Sequence, residues 1–217
     1  MKVGEESKEY YVHEQLLVHY SGYFRGALGS STFKEAEDRV VTLTDVKPRA
    51  FETFTAFMYA KSLSPDKDPD WHAVWASVPP VETDQSIHCS RLLYSYVFAD
   101  RFMVEDMRKV VVDLSYQRFL PLMTEPMFRY ESITFVFENL PADDPYLEFL
   151  VDVQCAYWSP AMDEDEDQAD IDALTTDFLY RVMKRMSETR SNPQSAIRQR
   201  SYYDRGLKEE AGSIARE

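Results

Sequence analysis

The chain has 217 residues, 44% of them hydrophobic, 14% aromatic and only six of them glycine. That is material for one medium domain, or for a domain of roughly 100–150 residues with an extension. The formal charge of −14 is uneven: residues 1–120 carry −4, residues 121–187 carry −11 and residues 188–217 carry +1. No stretch has the basic surplus that phosphate neutralisation needs, which argues against nucleic acid as a partner. The two cysteines, Cys89 and Cys155, belong to no CxxC pair, so neither a disulfide framework nor a zinc ribbon is expected.

The opening MKVGEESKEY lacks the apolar core of a signal peptide. No apolar run reaches the ~20 residues that span a bilayer. An intracellular protein with no membrane partner is expected, in the nucleus, the cytoplasm or both. Glu9 to His13 reads as an extended piece, with Tyr10 and Val12 on one face. Leu16 and Leu17 begin a short helix that ends near Ser21-Gly22. Phe24, Ala27 and Leu28 mark a second that closes at Gly29-Ser30. Val40 to Thr44 is a β-branched run with Val41 and Leu43 on one face, read as a strand.

Pro48 opens the next helix, where its missing N–H costs nothing, and Phe51, Phe54, Phe57 and Met58 form a buried aromatic stripe up to about Ser62. Residues 64–90 hold Pro65, Pro69, Pro79 and Pro80 and read as a long insertion loop, with Trp71 and Trp75 packing one helical turn back. Leu92 to about Phe102 and Glu105 to Leu114 are two helices of a hairpin, the second with Glu105 and Asp106 at the positive end of its dipole. Helices follow at Ile133–Phe137 and Tyr146–Tyr157. Residues 163–172 read as an acidic linker. Leu174 to Met186 is a last amphipathic helix with Phe178, Leu179, Val182 and Met186 on its apolar stripe. From Ser187 the chain turns polar, and residues 188–217 are expected as a flexible tail.

The order of elements and several motifs resemble the BTB/POZ family. Tyr11-Val12-His13 followed by Leu16-Leu17 is similar to F-x-V-H-x-x-x-L, and Ser21-Gly22-Tyr23-Phe24-Arg25 to S-x-Y-F-R. Phe33-Lys34-Glu35-Ala36 resembles F-K-E-(S/A), and Phe51 with Phe57-Met58-Tyr59 resembles the F…(F/W)-(L/I/M)-Y helix end. Leu92 through Phe102 resembles L-x-x-x-Y-x-(L/F)-A-D-(R/K)-(F/Y). The set covers about residues 9–118. Ile133 to Asp152 looks like the helical extension common in fungal members, with Leu140 and Glu148 where those tend to have threonine and a basic residue.

The resemblance implies an α+β fold, a small sheet packed on helices over residues 1–120, followed by a helical extension over 121–187. It implies a protein-interaction module rather than an enzyme. In BTB adaptors of cullin-type ubiquitin ligases a hydrophobic-x-Glu triplet contacts the cullin. Phe33-Lys34-Glu35 has that form, so Phe33 and Glu35, with Tyr59 nearby, are the candidate partner-binding residues. An oligomerising scaffold in regulatory complexes is the second reading, and an unrecognised hydrolase or metal enzyme the third. Swapped BTB dimers exchange a helix and strand ahead of the V-H motif; only twelve residues precede His13, and Glu14 stands where those dimers tend to be basic. A monomer or a non-swapped oligomer is expected.

His13 is expected to hold backbone groups at a strand-to-helix junction, and Asp100 and Arg101 to serve the loop between paired helices. No cofactor or metal site is expected. There is no GxSxG, P-loop or HExxH. His88-Cys89 with His72 lacks ligand spacing. Asp163, Asp165 and Asp167 fit positions one, three and five of an EF-hand, but Gln168 and Leu174 stand where glycine and glutamate are required.

Overall fold

The computed structural model describes residues 1–29, 40–78, 85–119 and 128–204, without the side chains of 85–89 and 119. Two compact units share the chain. Unit 1 takes in Met1–Thr83 and Tyr94–Leu114, and unit 2 takes in Asp84–Leu93 and Ser115–Glu217.

In unit 1 the sheet is short. Strand β1 (Lys2–Val3) lies between β2 (Lys8–Glu9) and β3 (Thr42–Leu43), antiparallel to the first and parallel to the second. Gly4 turns the chain after β1 with φ of 80°. A Cβ there would lie 2.9 Å from Cγ of Pro48, so both backbone and space require glycine. The extended piece expected at Glu9–His13 contributes only Glu9 to the ladder. Tyr10 N donates to Met1 O beyond it, while Tyr11 points into water, 93% exposed.

Helices α1 (Glu14–Tyr20), α2 (Gly22–Gly29) and α3 (Pro48–Leu63) follow the sequence reading closely. The apolar stripe of α3 is the core of unit 1, since Phe51, Phe54, Phe57 and Met58 are all buried. Helix α4 (Trp71–Ser77) starts at Asp70, whose carboxylate accepts from the His72 and Ala73 amides. Residues 64–90 are therefore not a plain loop: α4 lies within them, and α5 (Gln85–Arg101) already begins at 85. Helix α6 (Glu105–Phe119) completes the hairpin. Phe98 stacks on Phe102 at 4.2 Å between centroids, Phe102 on Phe24 at 5.3 Å, and Phe98 meets Phe54 at 5.1 Å. Such offset pairs add directional packing to the area they bury.

The α5–α6 corner explains two of the motifs. Met103 turns it in the left-handed region at φ 53°, with Val104 N donating to Ala99 O. Ser21 Oγ donates to Phe102 O at 2.7 Å and accepts from Phe24 N at 3.2 Å, capping α2 and tying it to the corner at once. Gly22 N donates to Met103 O, and a Cβ on Gly22 would sit 2.9 Å from Met103 Cβ. Ser-Gly at 21–22 and Asp-Arg-Phe at 100–102 are thus two halves of one junction. Arg101 reaches past this corner to Asp45 in a two-pronged pair at 2.7 and 3.2 Å, and Arg108 takes Asp100 at 3.0 Å.

Unit 2 is built round α8 (Pro145–Tyr157), started by Asp144 and buried at eleven of its thirteen residues. A helix buried nearly all round is a central one, covered on several sides. Helix α7 (Tyr130–Asn139) packs beside it with Ile133 and Val136 inward. Residues 163–172, expected as a linker, form a 3-10 turn at Asp165–Asp167 and helix α9 (Gln168–Asp172). Thr175 then caps α10 (Thr176–Glu188) by accepting from Phe178 N.

The flexible tail expected from residue 188 is corrected over its described part. Thr189, Ala196 and Tyr203 are buried, with 3-10 turns at Pro193–Ala196 and Arg200–Tyr203. Two small or aromatic side chains in a polar stretch anchor it, which composition averages away.

Candidate partner-docking site

Of the three residues singled out as partner-binding, Phe33 and Glu35 lie outside the described residues. Tyr59 is described, half-buried on the last turns of α3. Its hydroxyl lies 2.6 Å from His13 Nδ1, and the two rings meet edge-on at 5.8 Å. His13 therefore bonds a side chain rather than backbone groups, and its ring stays exposed. Both hold position because their elements are pinned from behind. Leu17 of α1 is buried, and Tyr20 packs edge-on against Phe57. Arg25 donates to the Val18 and His19 carbonyls, satisfying two of α1's last acceptors.

The N-terminal edge of α3 carries a second polar cluster. Glu52 accepts from Lys8 Nζ at 2.8 Å and from Tyr10 OH at 2.7 Å. Burial raises the Glu52 carboxyl, but those two hydrogen bonds outweigh it and leave the group below the usual carboxylate range. Burial, with the hydrogen bond to Glu52, pushes the Tyr10 hydroxyl up to about 12. Asp45 is held low by the Arg101 hydrogen bond. This chemistry fixes charges in place; it aligns no nucleophile with a base.

Unit 1 also has a small apolar recess of about 20 Å³, walled by Phe57, Trp71, Trp75, Met107, Val111 and Leu114. Trp71 lies flat on Phe57 at 5.2 Å, so the tryptophan expected to pack back on the body does so.

In unit 2 the strongest electrostatic feature is Asp152, fully buried on α8, which sequence reasoning did not single out. It accepts from Arg185 Nε at 2.9 Å and from Tyr203 OH at 2.7 Å, with Arg198 Nε at 3.3 Å. Burial pushes its carboxyl up, against the Tyr203 hydrogen bond and the Arg198 and Arg185 charges. Glu148, one turn earlier, pairs with Arg181 at 2.8 Å and Arg198 at 3.3 Å. The available signal was one aspartate inside the apolar run Phe149–Ala156. Burial, with the Asp152 charge next, pushes the nearby Cys155 thiol up to about 12, so it is an inert core thiol.

These arginines also decide which way α10 faces. Arg181 and Arg185 turn toward α8, and Phe178 is buried edge-on to Phe137 of α7, so Leu179, expected on the buried stripe, is 49% exposed. Among the described residues no group of three or more His, Cys, Asp or Glu side chains could hold a metal ion. No helix among them is long and apolar enough to cross a membrane.

Residues 1–74 match the family model described as BTB/POZ domain. No curated protein and no solved structure matches the chain.

Proposed function

We propose, from the premise that this chain carries a BTB/POZ domain over residues 1–74, that it is a protein-interaction module acting as a substrate adaptor on a cullin-type scaffold of a ubiquitin ligase. Phe33 is the apolar anchor, Glu35 the charge that orients the partner, and Tyr59 a flanking contact. The observation that carries the reading is that all three lie inside the matched segment, on a family whose members act by binding proteins. Tyr59 supports it locally: its ring is half-buried and its hydroxyl is held by His13, so it loses little freedom on docking. Such a partner places the protein inside the cell. The adaptor is a monomer, or an oligomer built without strand exchange.

Calorimetry against the N-terminal region of a cullin tests this. Phe33→Ala weakens binding by at least ~2 kcal/mol, the size of a hot spot, and Glu35→Lys costs as much if its charge is desolvated on docking. Circular dichroism serves as the folding control. No binding by the unaltered protein, or binding indifferent to both changes, refutes the adaptor role and leaves the oligomerising scaffold; light scattering then reports the assembly.

A further inference from the structure

Helix α10 presents an apolar face to water. Leu179 is 49% exposed, Tyr180 61% and Met183 63%. Met183 lies four residues after Leu179 and three after Tyr180, so it joins the two on one side of the helix. Single exposed apolar residues are ordinary on a protein surface, whereas a contiguous group marks a contact. Rotating the helix cannot hide them, because Arg181 and Arg185 on the other side are tied to Glu148 and Asp152.

The chain leading into this face is acidic. Between residues 163 and 177, eight of fifteen residues are Asp or Glu and none is Lys or Arg. Only the last of the eight, Asp177, has a cationic partner among the described residues, Arg181 at 2.8 Å. The others that are bonded take neutral donors: Asp163 accepts from Tyr130 and Trp158, Asp172 from Gln168, and Glu164 and Asp167 from each other's backbone amides. Glu164, Asp165 and Glu166 are exposed.

We infer that this face docks a basic amphipathic helix from a partner protein. Leucine-type side chains would lie on Leu179, Tyr180 and Met183, and lysines or arginines beside the carboxylates. The unbranched Met183 adapts to whatever apolar group arrives. Charge decides between occupants. A second copy would bring a segment of net −11 against itself, whereas a cationic helix neutralises it. Lys184, exposed on the same face, takes a carboxylate at the partner's rim. The inference rests on unit 2 alone and stands apart from cullin docking by unit 1.

The test uses the full chain and a fluorescent peptide with Leu at i, i+3, i+4 and i+7 and Lys elsewhere, beside a scramble of the same composition that has no apolar face. Anisotropy should show the patterned peptide binding and the scramble at least ~10-fold weaker. Leu179→Ser with Met183→Gln should weaken binding ~10-fold or more without moving the thermal midpoint, because both residues are exposed. Neutralising Asp165, Glu166, Asp170 and Asp172 to their amides should weaken it similarly, and so should raising salt from ~0.05 to ~0.5 M. Equal binding of the scramble reduces the site to bulk acidity and overturns the inference, as does no binding at all. A dimer by light scattering that Leu179→Ser with Met183→Gln dissociates also overturns it, showing a second copy on the face.

Discussion

Ser21→Ala removes two interactions with one oxygen. The hydroxyl caps α2 by accepting from Phe24 N, and an Ncap of this kind is worth about 1 kcal/mol. It also donates to the Phe102 carbonyl at 2.7 Å in a fully buried setting, worth about 1–1.5 kcal/mol. Without it that carbonyl keeps, among the described residues, only the Tyr23 amide at 3.4 Å, near the limit of a hydrogen bond. Together the loss is about 2–3 kcal/mol, large for removal of one hydroxyl oxygen and no ring or chain. With a urea dependence of ~2 kcal/mol per molar, the midpoint falls by about 1 M. The three tryptophans make the assay selective: Trp71 and Trp75 belong to unit 1 and Trp158 to unit 2, so a Trp158→Phe background reports unit 1 by fluorescence. A shift under ~0.2 M would mean that Ser21 does not tie α2 to the α5–α6 corner, and the account of the two motifs as one junction would fail.

Phe54→Ala, in the same background, should cost about 3–5 kcal/mol, since the ring is fully buried against Phe98 and Phe24; an unchanged midpoint would show α3 misplaced. Tyr203→Phe removes a donor to buried Asp152 and an acceptor for the Arg198 amide, so unit 2 should lose about 2–4 kcal/mol and trypsin should cut after Arg198 faster; equal digestion rates would contradict an anchored tail. For Glu52 the folded carboxyl titrates below its ordinary carboxylate range, so its contribution is present above that range and is lost as pH falls through the folded value. Glu52→Gln should therefore flatten the acid limb of the thermal midpoint measured from pH ~3 to ~6, and an unchanged limb would show the Lys8 and Tyr10 bonds to be idle.

Much of unit 1 was legible because local signals agreed. Pro48 fixed the start of α3, the Phe51–Met58 spacing fixed its inward face, and Glu105-Asp106 marked the start of α6. The strands were less so: two-residue pairs give no alternation to read, and Tyr10 with Val12 suggested a ladder that in fact lies at Lys2–Val3 and Lys8–Glu9. Leu179 was assigned inward because an apolar-periodicity reading cannot see arginines as core-facing. Their guanidiniums turn inward only because Asp152 and Glu148 wait on another helix. The same long-range pairing made the segment to residue 204 unreadable. His13 was expected to serve backbone, and its partner proved to be Tyr59, 46 residues away. Motif likeness supplied all three docking residues, Phe33, Glu35 and Tyr59, of which Tyr59 lies among the described residues.

Asp152 also sets an order of events for the newborn chain. Its last donor, the Tyr203 hydroxyl, lies 51 residues further on, and chains emerge N-terminus first at about 5–20 residues per second. For several seconds, then, α8 has left the ribosome with a carboxylate destined for burial while its donors Arg185, Arg198 and Tyr203 arrive one after another. Burying it early would cost more than leaving α8 open. During that interval Phe149, Leu150 and Val153 are free for a chaperone or for a neighbouring nascent chain. A stop codon just after Arg198 would make the interval permanent. A truncation that deletes only polar-looking sequence would thus act as a folding lesion of the central helix.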